Sequence, residues 1–172
     1  DLSPIGESWD GIRAEETLRE AAAAANWGDK KKSLHTGRGI AIADQSQGSG
    51  QSEASVAIDN NGIVTLYMSL WDTGTGASTV MRQIVAEALR VPVDDVNIQI
   101  RNTDAIDFES GPGGSRVTYT AGQAALGAAN LLRERLALLA AEYLGTQAEV
   151  VEQAEDGSFF DKDRKDTSLS VK

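Results

Sequence analysis

Two short stretches of this sequence place glycines and hydroxyl side chains in an arrangement suited to holding an anion. The first is Gly74-Thr75-Gly76-Ala77-Ser78-Thr79. The second is Gly111-Pro112-Gly113-Gly114-Ser115-Arg116, with Thr118 just beyond it. Each lies between a strand-like run and a helical pattern. The first N–H groups of a helix have no internal partner, and the macrodipole puts partial positive charge there. Glycines let a phosphate approach such a backbone closely. Two helix starts in tandem can be aimed at one anionic ligand. The candidate binding residues are therefore Gly74, Thr75, Gly76, Ser78 and Thr79 in the first loop, and Gly113, Gly114, Ser115, Arg116 and Thr118 in the second. Arg116 would add a charge-assisted contact; a surface ion pair in an acidic chain is the plain alternative.

Neither loop is a nucleotide fingerprint. The first lacks the third glycine of the dinucleotide motif, and no βαβ context with a suitably spaced acidic residue is clear. The second lacks the Gly-Lys-Ser/Thr ending of a P-loop. Either loop alone has a steric explanation; together they favour an anion or phosphate site. His35 is the single histidine; no serine nucleophile in the sequence has an obvious base, so a Ser-His-Asp arrangement is not expected and His35 reads as a loop residue. Asp104, Asp107 and Glu109 could gather as cation ligands or an acid/base set, but their spacing follows no ligand pattern, and a solvated loop is expected. Asp59-Asn60-Asn61-Gly62 lacks the later carboxylates of a calcium loop. Trp9, Trp27 and Trp71 read as packing anchors, with Trp71, beside the glycine loop, the one candidate for stacking on a ligand.

The elements that would position these loops follow from periodicity. Residues 1–11 form an irregular approach. Residues 12–25 read as a helix with a stripe of Leu18, Ala21, Ala22 and Ala25, ended near Gly28 as the C′ residue. The basic run 29–32 reads as a solvated loop. Residues 37–44 alternate Ile40 and Ile42 with small residues and suggest a buried strand; 45–51 reads as a mobile loop. Strands are expected at 53–59 and 63–70, joined by the Asn60-Asn61-Gly62 turn. From about Ser78 a helix buries Met81, Ile84, Val85, Ala88 and Leu89 and stops before Pro92. A strand at 96–101 leads through the polar loop 102–114 into a helix reaching Leu144. On that helix Gly122, Ala125 and Ala129 share a face that Leu132, Leu136 and Leu139 continue, and Gly145 ends it. Tight helix–sheet packing explains the small residues as readily as a ligand site does. Residues 148–153 and 158–161 suggest a strand and its return, 162–167 a charged, exposed stretch, and 168–172 the start of another element. The expectation is a single α+β domain over 1–172: a mixed sheet packed with helices and built from tandem strand–glycine loop–helix units.

The totals exclude several classes. The chain has 172 residues, 16 Lys plus Arg against 26 Asp plus Glu, and a net charge of −10, which argues against nucleic acid or an anionic membrane surface as partner. With no cysteine, disulfides and thiolate metal sites within the chain are excluded. No apolar run approaches the ~18 residues of a membrane span, and no signal peptide is expected from the first residues. The absence of an initial Met and the polar end lead us to expect an excised segment of something longer.

The run GRGIAIA, the Asn-Gly hairpin, DTGTGASTVMRQIVAEAL, VPVDDVNIQIRNTD and GPGGSRVTYTAGQAALGAA occur in that order. In this combination the chain resembles the large, molybdopterin-binding subunit of the xanthine dehydrogenase/aldehyde oxidase family, the molybdenum hydroxylases, over roughly residues 14–157. The resemblance implies that Gly74 to Thr79 correspond to the family's Gly-Gln-Gly-x-x-Thr loop at the pterin, and that Gly113 to Thr118 line the cofactor's phosphate or dinucleotide end. Thr75 stands where the family has glutamine, and Asn102-Thr103 where it often has Asp-Thr. The family's general-base glutamate belongs to a later motif, so no catalytic residue and no protein metal ligand is named in this chain.

What the resemblance further implies is a parent oxidoreductase that hydroxylates aldehydes or N-heterocycles with water-derived oxygen. It would carry molybdopterin, with the cytosine dinucleotide form as one candidate, while the isolated fragment is expected to be inactive and without bound cofactor. Its partners would be the remainder of the large subunit, iron–sulfur and FAD subunits and a small-molecule substrate. A cytoplasmic setting is expected, with the periplasm open. An apolar face left uncovered would let the fragment self-associate. The alternative from another class is a non-catalytic nucleotide- or anion-binding module, or a small acidic scaffold domain.

Overall fold

The computed structural model describes residues 6, 8, 11–29, 34–43, 45, 47–102 and 104–170, and in it the chain divides into two compact units, Asp1–Gln45 and Ser46–Lys172. The expectations for Trp9 and for the basic run after Asp29 lie outside the described residues.

In the first unit, α1 (Ala14–Ala24) carries local ion pairs, Glu15 with Arg19 and Arg13 with Glu16, and none of its residues is buried. The stripe read from Leu18, Ala21, Ala22 and Ala25 therefore buries nothing among the described residues. The helix ends two residues earlier than Gly28 suggests. Asn26 takes the left-handed conformation at φ 47°, its N–H bonds to the Ala23 carbonyl at 3.0 Å and that of Trp27 to the Ala22 carbonyl at 2.9 Å. That pairing is a Schellman closure with Asn26 as C′, since asparagine tolerates positive φ. Arg38 adds a hydrogen bond to the Ala25 carbonyl at 3.1 Å. Residues 37–43 are irregular and exposed, with Ile42 62% accessible, so the buried strand expected there does not form among the described residues. A strand needs a neighbour for its ladder, and alternation alone does not supply one. Trp27, 41% accessible, is not a packing anchor.

The second unit is organised on a three-stranded sheet. β1 (Ala54–Ile58) runs antiparallel to β2 (Val64–Met68), and β2 runs parallel to β3 (Val96–Ile100), from Val64 opposite Val96 to Met68 opposite Ile100. The turn between β1 and β2 is closed by Asp59, whose Oδ1 accepts the N–H groups of Asn61 at 2.8 Å and Ile63 at 2.9 Å. Gly62 sits there at φ 77°. β2 and β3 are joined by α2 (Ala77–Leu89), so a true βαβ crossover stands where the sequence left that context unclear.

Strand alternation puts Val64, Leu66 and Met68 on one face, fully buried against Met81, Val85 and Leu89 of α2. Burying each such side chain contributes about 1.5–3 kcal/mol. α3 (Val117–Leu144) completes the core with Ala121, Ala125 and Ala129. Gly122 lets it approach α2: a Cβ there would stand 3.0 Å from Ile84 Cδ1. The face then continues through Leu132 to Ala140 and Ala141, while Leu139 is 52% accessible. Four residues on from Leu136 the helix returns to Ala140 rather than Leu139, which corrects the expected stripe.

A second sheet consists of β4 (Val151–Gln153), β5 (Phe159–Asp161) and β6 (Arg164–Leu169), all antiparallel. The charged stretch expected to be exposed at 162–167 is exposed where its side chains are described, and from Arg164 on it forms β6. Its charged residues suit an edge strand that hydrogen-bonds to β5 on one side only. Gln153 Nε2 fastens this sheet to the end of α2 through the Leu89 carbonyl at 2.8 Å. Among the described residues no helix is long and apolar enough to cross a membrane.

Candidate functional site

The first glycine loop follows β2 directly and is shaped by Asp72. Its Oδ1 accepts the N–H groups of Gly74 at 2.9 Å, Thr75 at 3.0 Å and Gly76 at 3.1 Å, and its Oδ2 accepts that of Ser78 at 3.1 Å. The Ser78 N–H leads in holding the Asp72 carboxyl below the ordinary carboxylate range; burial opposes this, and the N–H groups of Gly74, Gly76 and Thr75 reinforce it. Gly74 and Gly76 take φ 94° and 77°, which a residue with a Cβ adopts only at a cost. The donors expected to face a ligand in this loop thus face the chain's own carboxylate.

The second loop is pinned differently. Arg116 donates from Nε to the Gly111 carbonyl at 2.8 Å, from Nη1 to that of Ser49 at 2.8 Å, and from Nη2 to that of Ser110. Its guanidinium is a clamp on three backbone carbonyls. The segment 47–51, expected as a mobile loop, is what it clamps. Gly48 N–H bonds to the Gly114 carbonyl at 2.7 Å, and Ser110 N–H to the Gln51 carbonyl at 3.0 Å. Glu109 Oε1 accepts the Ser52 hydroxyl at 3.1 Å and the Gly111 N–H at 2.9 Å. Asp104 accepts from Asn102 Nδ2 at 3.1 Å, and the Asp107 N–H goes to Glu53 at 2.8 Å. Among the described residues no group of acidic or histidine side chains is arranged to hold a metal. Ser115, a non-glycine at φ 57°, turns the chain into α3, whose start carries no side-chain cap.

The two loops meet. A cleft of about 370 Å³ is lined by Thr75, Ala77 and Val80 from the first unit of the repeat and by Pro112, Gly113, Ser115, Arg116, Val117 and Thr118 from the second. Of the residues singled out from sequence, Thr75, Gly113, Ser115, Arg116 and Thr118 line it. Gly74, Gly76, Ser78, Thr79 and Gly114 do not; they shape the turns or begin α2 behind it. Sequence reasoning missed Ala77, Val80, Pro112 and Val117 as walls, and Asp72 as the anion of the first loop. For Asp72 a signal was present: an aspartate two residues before a glycine turn readily accepts backbone N–H groups. Trp71, 58% accessible, is exposed beside the loop and is not a buried packing anchor. A larger hollow of about 960 Å³, between the end of α2 and Glu155–Asp156, contains none of these residues.

The residues present fit the anionic, organic part of a pterin cofactor: three hydroxyls (Thr75, Ser115, Thr118) and a helix start without a side-chain cap border one cleft. Comparison with known proteins points the same way. The family of the molybdopterin cofactor-binding domain matches residues 13–172. A probable hypoxanthine oxidase of Escherichia coli K12 is 32% identical over 149 residues, covering 83% of this chain and 16% of that protein. The carbon monoxide dehydrogenase large chain of Afipia carboxidovorans is 36% identical over 91 residues, covering 53% of this chain and 11% of that one. Among solved structures, the Cu,Mo-CO dehydrogenase in its carbon monoxide reduced state superposes with TM-score 0.65 at 30% identity, over 70% of this chain and 15% of that one. Quinoline 2-oxidoreductase from Pseudomonas putida 86 gives TM-score 0.62 at 32% identity over the same shares. The chain therefore spans only about a sixth of the relatives it matches. The α+β architecture is that of the molybdenum cofactor-binding region of these enzymes, and the chain belongs to the molybdopterin cofactor-binding domain family.

Proposed function

We propose that the cleft between Thr75 and the Gly113–Thr118 loop holds the anionic part of molybdopterin in a parent molybdenum hydroxylase. The observation that carries this is the meeting of the two loops around one cleft that includes the uncapped start of α3. When bound, the cofactor supplies a two-electron redox centre for oxidising a small molecule with oxygen derived from water. This chain's residues bind and orient it. The Thr75, Ser115 and Thr118 hydroxyls offer hydrogen bonds, the N–H groups at the start of α3 face negative charge, and Ala77, Val80, Pro112 and Val117 supply apolar walls. The catalytic base belongs to another part of the parent subunit, so the fragment alone turns nothing over.

The relatives' names span hypoxanthine, carbon monoxide and nicotine as substrates, which supports placing substrate choice outside this segment. The same reading gives the cofactor its cytosine dinucleotide form, iron–sulfur and FAD subunits as electron acceptors, and the cytoplasm as its setting. The test is the intact protein from its source: polypeptide mass, molybdenum and pterin content, and the nucleotide released by acid hydrolysis. A large subunit with near one molybdenum per chain and released cytidine monophosphate is expected. A protein of about this chain's 18.2 kDa without molybdenum overturns the reading and favours a non-catalytic module.

A further inference from the structure

The two glycine loops look alike in sequence but offer different things to a ligand. In the first, the N–H groups of Gly74, Thr75, Gly76 and Ser78 are all taken by the Asp72 carboxylate, at 2.9–3.1 Å. Successive backbone N–H groups of this kind form an anion nest, and here the nest is filled from within the chain. A second anion at the same donors would meet the carboxylate's like charge at close range. The start of α3 has no such occupant, since no side chain caps it. Thr75 and Ala77 nevertheless line the shared cleft, while the loop's N–H groups are turned to Asp72.

We infer that Asp72 is a positioning residue: by filling the nest it fixes the loop in the shape that brings Thr75 to the cleft, and it directs the negative end of the bound group to the start of α3. Only the last clause rests on the cofactor reading above; the filled nest stands on hydrogen bonds within this chain.

The experiment compares the thermal midpoints of wild type, Asp72→Ala and Asp72→Asn, each in acetate and in chloride of matched ionic strength. Asp72→Ala empties the nest, and acetate is the probe that refills it. Expected is a downward shift of Tm in Asp72→Ala, of which acetate restores at least half, with no response in wild type. Asp72→Asn keeps the volume and one acceptor oxygen, so it falls between the two and ignores acetate. An equal acetate response in wild type and Asp72→Ala, or none in either, overturns the inference. If Asp72→Ala does not fold, the pH profile of Asp72→Asn decides. Its deficit against wild type must close in acid, where wild type loses the charge, and a constant deficit overturns the inference. Failure of both variants to fold also overturns it, because the carboxylate is then a requirement of the whole fold. In the parent subunit, Asp72→Ala should lower molybdenum and pterin content by roughly tenfold, as loss of a supporting contact does, with partial recovery in acetate. A parent subunit without cofactor sinks the proposed function while leaving the acetate result to judge Asp72.

Discussion

Gly48 donates its N–H to the Gly114 carbonyl at 2.7 Å, and a Cβ added at Gly48 would stand 2.6 Å from the neighbouring Gly113 oxygen. The segment before β1 and the loop before α3 are thus locked backbone to backbone, and the atom nearest the added Cβ is a backbone oxygen. Gly48→Ala must push the second loop from its place. The expected cost is about 1–3 kcal/mol, typical of forced overpacking, read as a lower urea midpoint with an unchanged slope. In the parent subunit the same change lowers pterin content, because Gly113 lines the cleft. An unshifted midpoint would show that the two segments do not depend on each other.

Arg116 completes that lock through three carbonyls, and lysine cannot reproduce it. A single ammonium on a flexible stem does not span acceptors on Ser49, Ser110 and Gly111. Arg116→Lys keeps the charge and should still cost about 1–3 kcal/mol from carbonyls left unsatisfied. Amide hydrogen exchange at residues 48–51 should quicken at the same time. If Lys restores full stability, the guanidinium serves only as a charge, and the clamp reading fails.

What could be read from the sequence was local. The Asn-Gly turn, β2, the glycine break, α2, β3 and the length of α3 all follow from periodicities within a few residues of each other. What escaped reading needed a partner elsewhere. Residues 37–43 alternate like a strand, yet no described strand lies beside them. β6 is charged and shows no strand alternation of its own; it becomes a strand because β5 offers it a ladder. Arg116 looks like an anion contact because its carbonyl acceptors lie partly 67 residues away. The paired loops themselves were legible, but their division of labour was not. That depends on where the Asp72 carboxylate points, which spacing suggests and only geometry shows.

Gly122 and Ile84 set how closely α3 lies on α2. The added Cβ of Gly122→Ala would meet Ile84 Cδ1 at 3.0 Å, the movable end of a side chain. Against that contact stands the helix-propensity gain of alanine over glycine, about 0.8–1 kcal/mol. Alone, Gly122→Ala should therefore be close to neutral or mildly destabilising. Combined with Ile84→Val, which removes Cδ1, it should become stabilising relative to Ile84→Val by about 0.5–1 kcal/mol. A double-mutant cycle by urea denaturation measures the coupling. Strict additivity would mean that the helices do not meet at this pair.

Asp161 makes the second sheet sensitive to acid. The side chain is 4% exposed, and its carboxyl is held below the ordinary range first by the Asp163 N–H, then by the Thr146 side chain, against the opposing effect of burial, with Arg164 adding to the lowering. A carboxyl whose pKa is lower in the folded than in the unfolded chain binds fewer protons when folded. Its contribution is fully present above the ordinary Asp value of 3.8 and is lost as pH falls through the lowered folded value. Asp161→Asn removes that dependence while leaving the side chain's size. The variant should be less stable than wild type at neutral pH, and the two Tm curves should converge as the solution is made strongly acidic. Added salt should change the neutral-pH difference little, because the leading contributions are hydrogen bonds and the Arg164 partner is largely exposed, where ion pairs are weak. Curves that stay parallel down the acid limb would mean that Asp161 is held by its shape and not by its charge.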